Sequence, residues 1–187
     1  MNMDGIQPAG TALLICGGAP GGCCDTACSA ASSALEDAGY RTVTVHPIGM
    51  NIAHCTGCQS CSSAGRCVIS DDMDEIYRLF GTCDVVVMAT PLRFSGPSSM
   101  LKLVMDRLQI YWENSGRPRP ARMVMLSTSG SSEPTFAPLR SIMRAFCITM
   151  GMEWSGEIYI PGTDGDRSGV RDLAYSQMSG LILSGAI

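Results

Sequence analysis

Short apolar runs of strand length alternate with stretches that carry apolar residues at helical spacing, and this alternation limits the fold more than any other feature of the chain. Thr11 to Cys16 (TALLIC) reads as a buried first strand ending in the glycine-rich Gly17-Gly18-Ala19-Pro20-Gly21-Gly22. From Thr26 onward, Ala27, Ala30, Ala31, Ala34, Leu35 and Ala38 recur at helical spacing, with Gly39 placed as the C-terminal stop. Arg41 to His46 (RTVTVH) alternates and is rich in β-branched residues, which predicts strand two. Asp71 and Asp72 cap a helix carrying Ile76, Leu79 and Phe80 and stopped by Gly81. Asp84 to Ala89 (DVVVMA) is a central strand, and a helix follows with Met100, Leu101, Val104, Met105 and Leu108 on its buried face. Met123 to Ser127 predicts strand four. Pro138 suits a first helical turn, with Leu139, Ile142, Met143, Phe146 and Met150 behind it. Glu157 to Ile160 predicts strand five, and 170–183 a last helix. Five strands alternating with five helices form βαβ units. They predict an α/β fold, a flavodoxin-like doubly wound five-stranded parallel sheet of order 2-1-3-4-5.

The chain of 187 residues shows no repeat, low-complexity tract or linker, so a single domain over 1–187 is expected. Apolar residues make up 45% and charged residues 16%, which argues against disorder. With 13 basic and 17 acidic residues and no basic stripe, nucleic acid is excluded as a partner. No apolar stretch reaches the length of a membrane span. Met1 to Gly10 lacks the charged and apolar regions of an export signal, so a cytoplasmic location is expected. There the ten cysteines are thiols or metal ligands rather than a disulfide framework.

In doubly wound sheets, ligands bind beyond the carboxyl ends of the strands, near the switch point between strands one and three. The glycine loop, the turn from Thr90 to Ser99 and the segment from Ser127 to Ser132 all open there, and the cysteine loop that follows strand two is expected on the same side. Glycines let backbone N–H groups approach an anion, and the following helix adds its positive end. Gly17, Gly18, Ala19, Gly21 and Gly22, with the hydroxyls of Thr26 and Ser29, are therefore candidates to hold a phosphate. A plain strand-to-helix connection is the alternative. The loop matches neither the dinucleotide nor the P-loop fingerprint.

The loop 47–70 is long for a compact domain and carries Cys55, Cys58, Cys61 and Cys67 as C-x2-C-x2-C-x5-C. Structural zinc sites usually join two separated C-x2-C knuckles. Here three thiols recur every third residue and a fourth follows on the same curl, a spacing suited to wrapping a multi-iron cluster. Zinc on the same thiols, and free thiols, remain open readings. Small intervening residues (Thr56, Gly57, Ser60, Ser62, Ser63, Gly65) leave room for N–H···S bonds.

These residues carry a family resemblance. Cys55-Thr-Gly-Cys58-Gln-Ser-Cys61 through Cys67-Val-Ile-Ser-Asp71-Asp72-Met73, then Asp84-Val-Val-Val-Met-Ala-Thr-Pro91 and Leu101-Lys102 to Asp106-Arg107, closely resemble the iron–sulfur flavoproteins, within the wider NAD(P)H-dependent FMN reductase family. The resemblance implies FMN and a [4Fe–4S] cluster on Cys55, Cys58, Cys61 and Cys67. It also implies a homodimer or homotetramer in which clusters and flavins approach across subunits. A ferredoxin-type donor or NAD(P)H would supply electrons to a small-molecule acceptor. The flavin ring is expected against Pro91, Leu92, Arg93, Phe94, Ser95 and Gly96 on one side and Ser127, Thr128, Ser129 and Gly130 on the other. Two departures stand out. The glycine loop is a residue longer than the family pattern and lacks its serine and arginine. Arg93 replaces a tyrosine of the flavin turn, and pointed at the ring it would favour anionic reduced flavin; a solvated loop arginine is the alternative.

Two rival functions stay open: an NAD(P)H-dependent FMN or quinone reductase without a cluster, and a non-catalytic zinc or thiol-sensing module. Cys16, Cys28, Cys83 and Cys147 are expected in the core, while Cys23 and Cys24 are either accessible thiols or fillers. His46 is expected to be structural and His54 a polar loop residue. Lys102, Asp106 and Arg107 are expected to fix packing or a subunit interface, and Trp112 and Trp154 to pack in the core, with a cover over a flavin or a dimer seam as the alternative.

Overall fold

The computed structural model describes residues 9–187, so the export-signal reading of the N-terminus lies mostly outside the described residues. Among them the sheet is five-stranded and parallel, ordered β2-β1-β3-β4-β5, as the alternation predicts. Its strands are β1 (Gly10–Cys16), β2 (Tyr40–Val45), β3 (Val85–Pro91), β4 (Arg122–Thr128) and β5 (Glu153–Ile160). The three central strands are apolar almost throughout because both faces of a parallel sheet are covered.

Side-chain alternation splits the core into two layers. Ala12, Leu14, Cys16, Val87, Ala89, Val124 and Leu126 face α1 (Cys23–Asp37) and α7 (Val170–Leu183). Leu13, Ile15, Val86, Met88, Met123 and Met125 face the other side. There they meet α3 (Met73–Phe80), α4 (Ser99–Arg107), α5 (Gln109–Glu113) and α6 (Ala137–Thr149). The buried stripe of α1 is small (Ala27, Cys28, Ala30, Ala31, Ala34), which lets it approach both the sheet and α7 closely.

Three differences from the sequence reading have physical causes. The first helix begins at Cys23, earlier than its apolar repeat, because the turn from Gly22 starts it. β5 begins at Glu153 rather than Glu157. It is an edge strand, half exposed, and Ser155 is extruded as a bulge: Met123 pairs with Trp154, but Val124 pairs with Gly156. A short helix, α2 (Ser60–Ala64), interrupts the cysteine loop between left-handed Gln59 and Gly65; it has no apolar periodicity to betray it. Among the described residues no helix is long and apolar enough to cross a membrane.

Ser98 locks the switch-point rim. Its Oγ donates to the Gly17 carbonyl at 2.8 Å and accepts the Leu101 N–H at 3.2 Å, so it caps α4 and ties that helix to the glycine loop. Its own N–H donates to Thr90 Oγ1 at 2.8 Å. The contact requires glycine at 17, where a Cβ would stand 2.6 Å from Ser98 Oγ. Ser98→Ala removes a cap and leaves a buried carbonyl short of a donor, so a loss of about 1–2 kcal/mol is expected. A urea midpoint that falls at unchanged m-value is the signature; an unchanged midpoint would refute the lock.

Candidate functional site

Two cavities bring the sequence-predicted residues together. The first, of about 200 Å³, lies on the rim and is lined by Gly18, Ala19, Gly22, Cys23, Cys24, Pro91, Leu92, Arg93, Thr128, Gly130, Thr163, Asp164 and Arg167. A neighbouring hollow on the same rim adds Gly17, Phe94 and Ser98. The start of α1 supplies its donors. Gly22 caps the helix with no side-chain hydrogen bond, and among the described residues the N–H groups of Ala19, Cys23 and Cys24 have no backbone partner. Free donors at a fifteen-residue helix N-terminus, with Arg93 and Arg167 on the wall, suit an anionic group such as the FMN phosphate.

Not every predicted phosphate residue turns inward. The Thr26 hydroxyl donates back to the Gly22 carbonyl at 3.2 Å, Ser29 is exposed on the helix, and the Gly21 N–H is taken by Asp25 Oδ2 at 2.8 Å. Ser127 and Ser129 are buried beneath the rim, and Ser127 Oγ has no hydrogen-bond partner among the described residues. Arg93 and Gly96 exchange backbone hydrogen bonds across a tight turn whose central residues, Phe94 and Ser95, adopt φ of 47° and 61°. Two non-glycine residues in the left-handed region are strained, and Phe94 is left fully exposed. The sequence reading missed Thr163, Asp164 and Arg167. Their signal was position: they follow the fifth strand, beyond the same carboxyl edge.

The second cavity, of about 590 Å³, is lined by Cys55, Cys58, Cys61 and Cys67 together with α4 and α5 residues that include Arg107 and Trp112. All ten cysteines are free thiols. Cys55 and Cys58 are exposed, Cys61 and Cys67 half-buried. Among the described residues no three of these four sulfurs lie within 4.8 Å of one another. A tetrahedral zinc with Zn–S of about 2.3 Å needs edges of about 3.8 Å, closer than these sulfurs stand. The soft donor set fits an iron–sulfur cluster. Hydrogen bonds from Ser60 favour the Cys58 thiolate and lower its pKa, whereas burial raises that of Cys61. Trp112 is half-exposed on this cavity wall rather than packed in the core.

A buried ion pair closes the base of the cysteine loop. Arg107 and Asp71 side chains are 1% and 5% exposed, and the guanidinium reaches both carboxylate oxygens, at 2.6 and 3.1 Å. The same guanidinium donates to the carbonyls of Ala53 at 2.7 Å and Ile69 at 3.4 Å, just outside the first and last cysteines. Asp71 in turn accepts the Ala53 N–H at 2.9 Å. Burial raises the Asp71 pKa, but Arg107 and the N–H groups of Ala53 and Met73 outweigh it and hold the carboxyl below its ordinary 3.8. The loop leaves the rim after β2, yet its thiols end beside the C-terminal half of α4. The N-terminal turn of α4 borders the rim hollow, so the two ends are about 12 Å apart at 1.5 Å per residue.

Comparison with known proteins identifies the family and the fold. The family model described as NADPH-dependent FMN reductase matches residues 11–161. An iron–sulfur flavoprotein of Archaeoglobus fulgidus is 31% identical over 142 residues, covering 73% of this chain and 63% of that protein. One from Methanocaldococcus jannaschii is 30% identical over 114 residues, covering 59% of each. The chain thus spans about three-fifths of the length of these curated relatives. Among solved structures, an NAD(P)H:quinone oxidoreductase from Methanothermobacter marburgensis superposes with a TM-score of 0.73 at 17% identity, over 91% of this chain and 92% of that one. An FMN-dependent NADH-azoreductase from Bacillus anthracis does so with 0.66 at 16%, over 95% and 100%. At these identities the likeness establishes the fold.

Asp71→Asn keeps the shape of the clamp but strands the buried Arg107 charge, with an expected loss of about 3–5 kcal/mol. Limited proteolysis within 47–70 should accelerate alongside. In the parent protein the depressed carboxyl makes the contribution whole at neutral pH, and it fades only as pH falls below 3.8 toward the lowered value. Equal acid-unfolding curves for parent and variant would contradict the clamp.

Proposed function

The chain belongs to the NADPH-dependent FMN reductase family, and from that premise we propose that it is a cytoplasmic FMN-dependent oxidoreductase exchanging electrons between a [4Fe–4S] cluster and FMN. The observation that carries this reading is the convergence of four free thiols on one cavity at one end of α4, with the rim hollow that adjoins the donor-lined cavity at the other. When bound, FMN stores one or two electrons and the cluster passes them singly.

The chain's own residues divide the work. Backbone N–H groups of Ala19, Cys23 and Cys24 would hold the phosphate, with Arg167 balancing its charge and Arg93 beside the ring. Pro91, Leu92, Thr128 and Gly130 would shape the slot for the ring; Gly130 has no room for a Cβ because Asp164 Oδ2 would lie 2.2 Å from it. Cys55, Cys58, Cys61 and Cys67 would ligate the cluster, while Arg107 and Asp71 hold the loop in register. Electrons would enter from a ferredoxin-type donor or from NAD(P)H stacking on the flavin, and leave to a small acceptor. The exposed Phe94 turn and half-exposed Trp112 are in keeping with a homodimer or homotetramer.

Anaerobically purified protein is expected to show flavin bands with a broad iron–sulfur shoulder, and about four iron and four sulfide per chain. Cys58→Ala should lose iron and keep flavin. Flavin without iron after reconstitution would instead indicate a cluster-free reductase, and a colourless protein a thiol or zinc module. Arg93→Ala should lower the flavin midpoint potential, because a fixed positive charge at the ring favours the anionic reduced form. An unchanged potential would remove Arg93 from that role.

A further inference from the structure

A second group of chemistry-bearing side chains lies at the β1–β2 corner, apart from the four-thiol cavity. β1 and β2 run parallel in register, with Ile15 beside Val45, so the next residues, Cys16 and His46, emerge as neighbours at the carboxyl edge. The first turn of α1 brings Asp25 over them. One ligand atom from each residue (Cys16 Sγ, an Asp25 carboxylate oxygen and a His46 ring nitrogen) lies within 4.8 Å of the other two. His46 Nε2 and Asp25 Oδ1 are 2.7 Å apart. Asp25 Oδ2 meanwhile accepts the Gly21 N–H at 2.8 Å, which fixes the carboxylate on the glycine loop. Cys24 and Cys28 on α1 pack in the same core layer as Cys16, and all three thiols are at most 3% exposed. Among the described residues Asp25 has no arginine or lysine partner.

We propose that Cys16, Asp25 and His46 form a mononuclear binding site for a borderline-soft divalent cation such as zinc, distinct from the Cys55–Cys67 centre. The donor set of one thiolate, one imidazole and one carboxylate, drawn from three separate elements, is that of a tetrahedral zinc site. Bonds of about 2.0–2.3 Å give ligand–ligand edges of about 3.3–3.8 Å, so His46 and Asp25, 2.7 Å apart, would open slightly to admit the ion while Cys16, already within 4.8 Å of both, closes in. Cys24 and Cys28 stand on the buried flank to supply a fourth ligand, and the partly exposed His46 and Asp25 leave the outer flank open to an entering ion. The contrast with the four-thiol loop is one of spacing: here the atoms sit at single-ion distance, there they do not. Such an ion would staple the ends of β1 and β2 to the start of α1, bracing the glycine loop through Asp25. It would also balance the charges of the thiolate and carboxylate.

The test uses the full chain carrying its iron. Anaerobic holoprotein is dialysed against micromolar zinc chloride, then against zinc-free buffer, and zinc and iron are counted by mass spectrometry. Parent protein should retain about one zinc per chain at unchanged iron. His46→Ala and Asp25→Asn, which change partly exposed side chains, should each weaken retention on the order of ten-fold or more, with iron content and far-ultraviolet dichroism preserved. X-ray absorption at the zinc edge should report a mixed shell of sulfur with nitrogen and oxygen. An all-sulfur shell would place the zinc on the Cys55–Cys67 loop and overturn the proposal. So would failure of the parent to hold zinc, or equal retention by both variants, which would leave His46 and Asp25 as a plain ion pair.

Discussion

The ion pair between Arg107 and Asp71 is the constraint on which the cysteine loop depends. A segment of some twenty residues with few apolar anchors cannot fold itself, and its thiols would otherwise sample many arrangements. Arg107 ties the two ends of that segment together by binding the carbonyls of Ala53 and Ile69, while Asp71 returns a hydrogen bond to the Ala53 N–H. A charge this deeply buried is tolerated only when its partner and its remaining donors are satisfied, and here all but Nε are. Further along, Asn114 donates to the Cys61 carbonyl at 2.9 Å and Arg117 to that of Gly65 at 2.9 Å, so α5 and its exit hold the far side of the curl.

α4 relates that loop to the rim. Its N-terminal turn is capped by Ser98, which belongs to the switch-point rim, and its C-terminal end contributes Arg107 to the thiol cavity. One nine-residue helix therefore borders both candidate cofactor sites and sets their separation. Its buried face (Leu101, Val104, Met105) rests on the same core layer as α3 and α5, so neither site can move far without disturbing packed side chains. The opposite layer is built from small α1 residues and serves the glycine loop and the β1–β2 corner instead.

Much of this was legible in order along the chain. Runs such as DVVVMA and TALLIC are buried on both faces and so read directly as central parallel strands, and the strand order follows from their alternation with helices. The cysteine spacing likewise marked out four thiols that the structure gathers on one cavity. β5 was less legible because an edge strand carries polar residues on its open face and a bulge at Ser155 breaks its period. α2 was invisible since five small residues (Ser60 to Ala64) carry no periodicity, only the left-handed Gln59 and Gly65 at its ends. Arg167 and Asp164 were passed over because a loop residue gains meaning only when another strand's loop is brought against it.

By itself, then, the sequence determined the local choices: which segments pair as strands, which helices cover them, and which thiols lie close along the backbone. Those follow from periodicity and spacing, which act over a few residues. Only the tertiary structure decided that the thiols would sit beside the end of α4 rather than at the rim, that Arg107 would be buried as a clamp, and that Cys16, Asp25 and His46 would meet. Each of these depends on contacts between residues tens of positions apart, made only when the sheet orders its strands and a buried charge must find its partner.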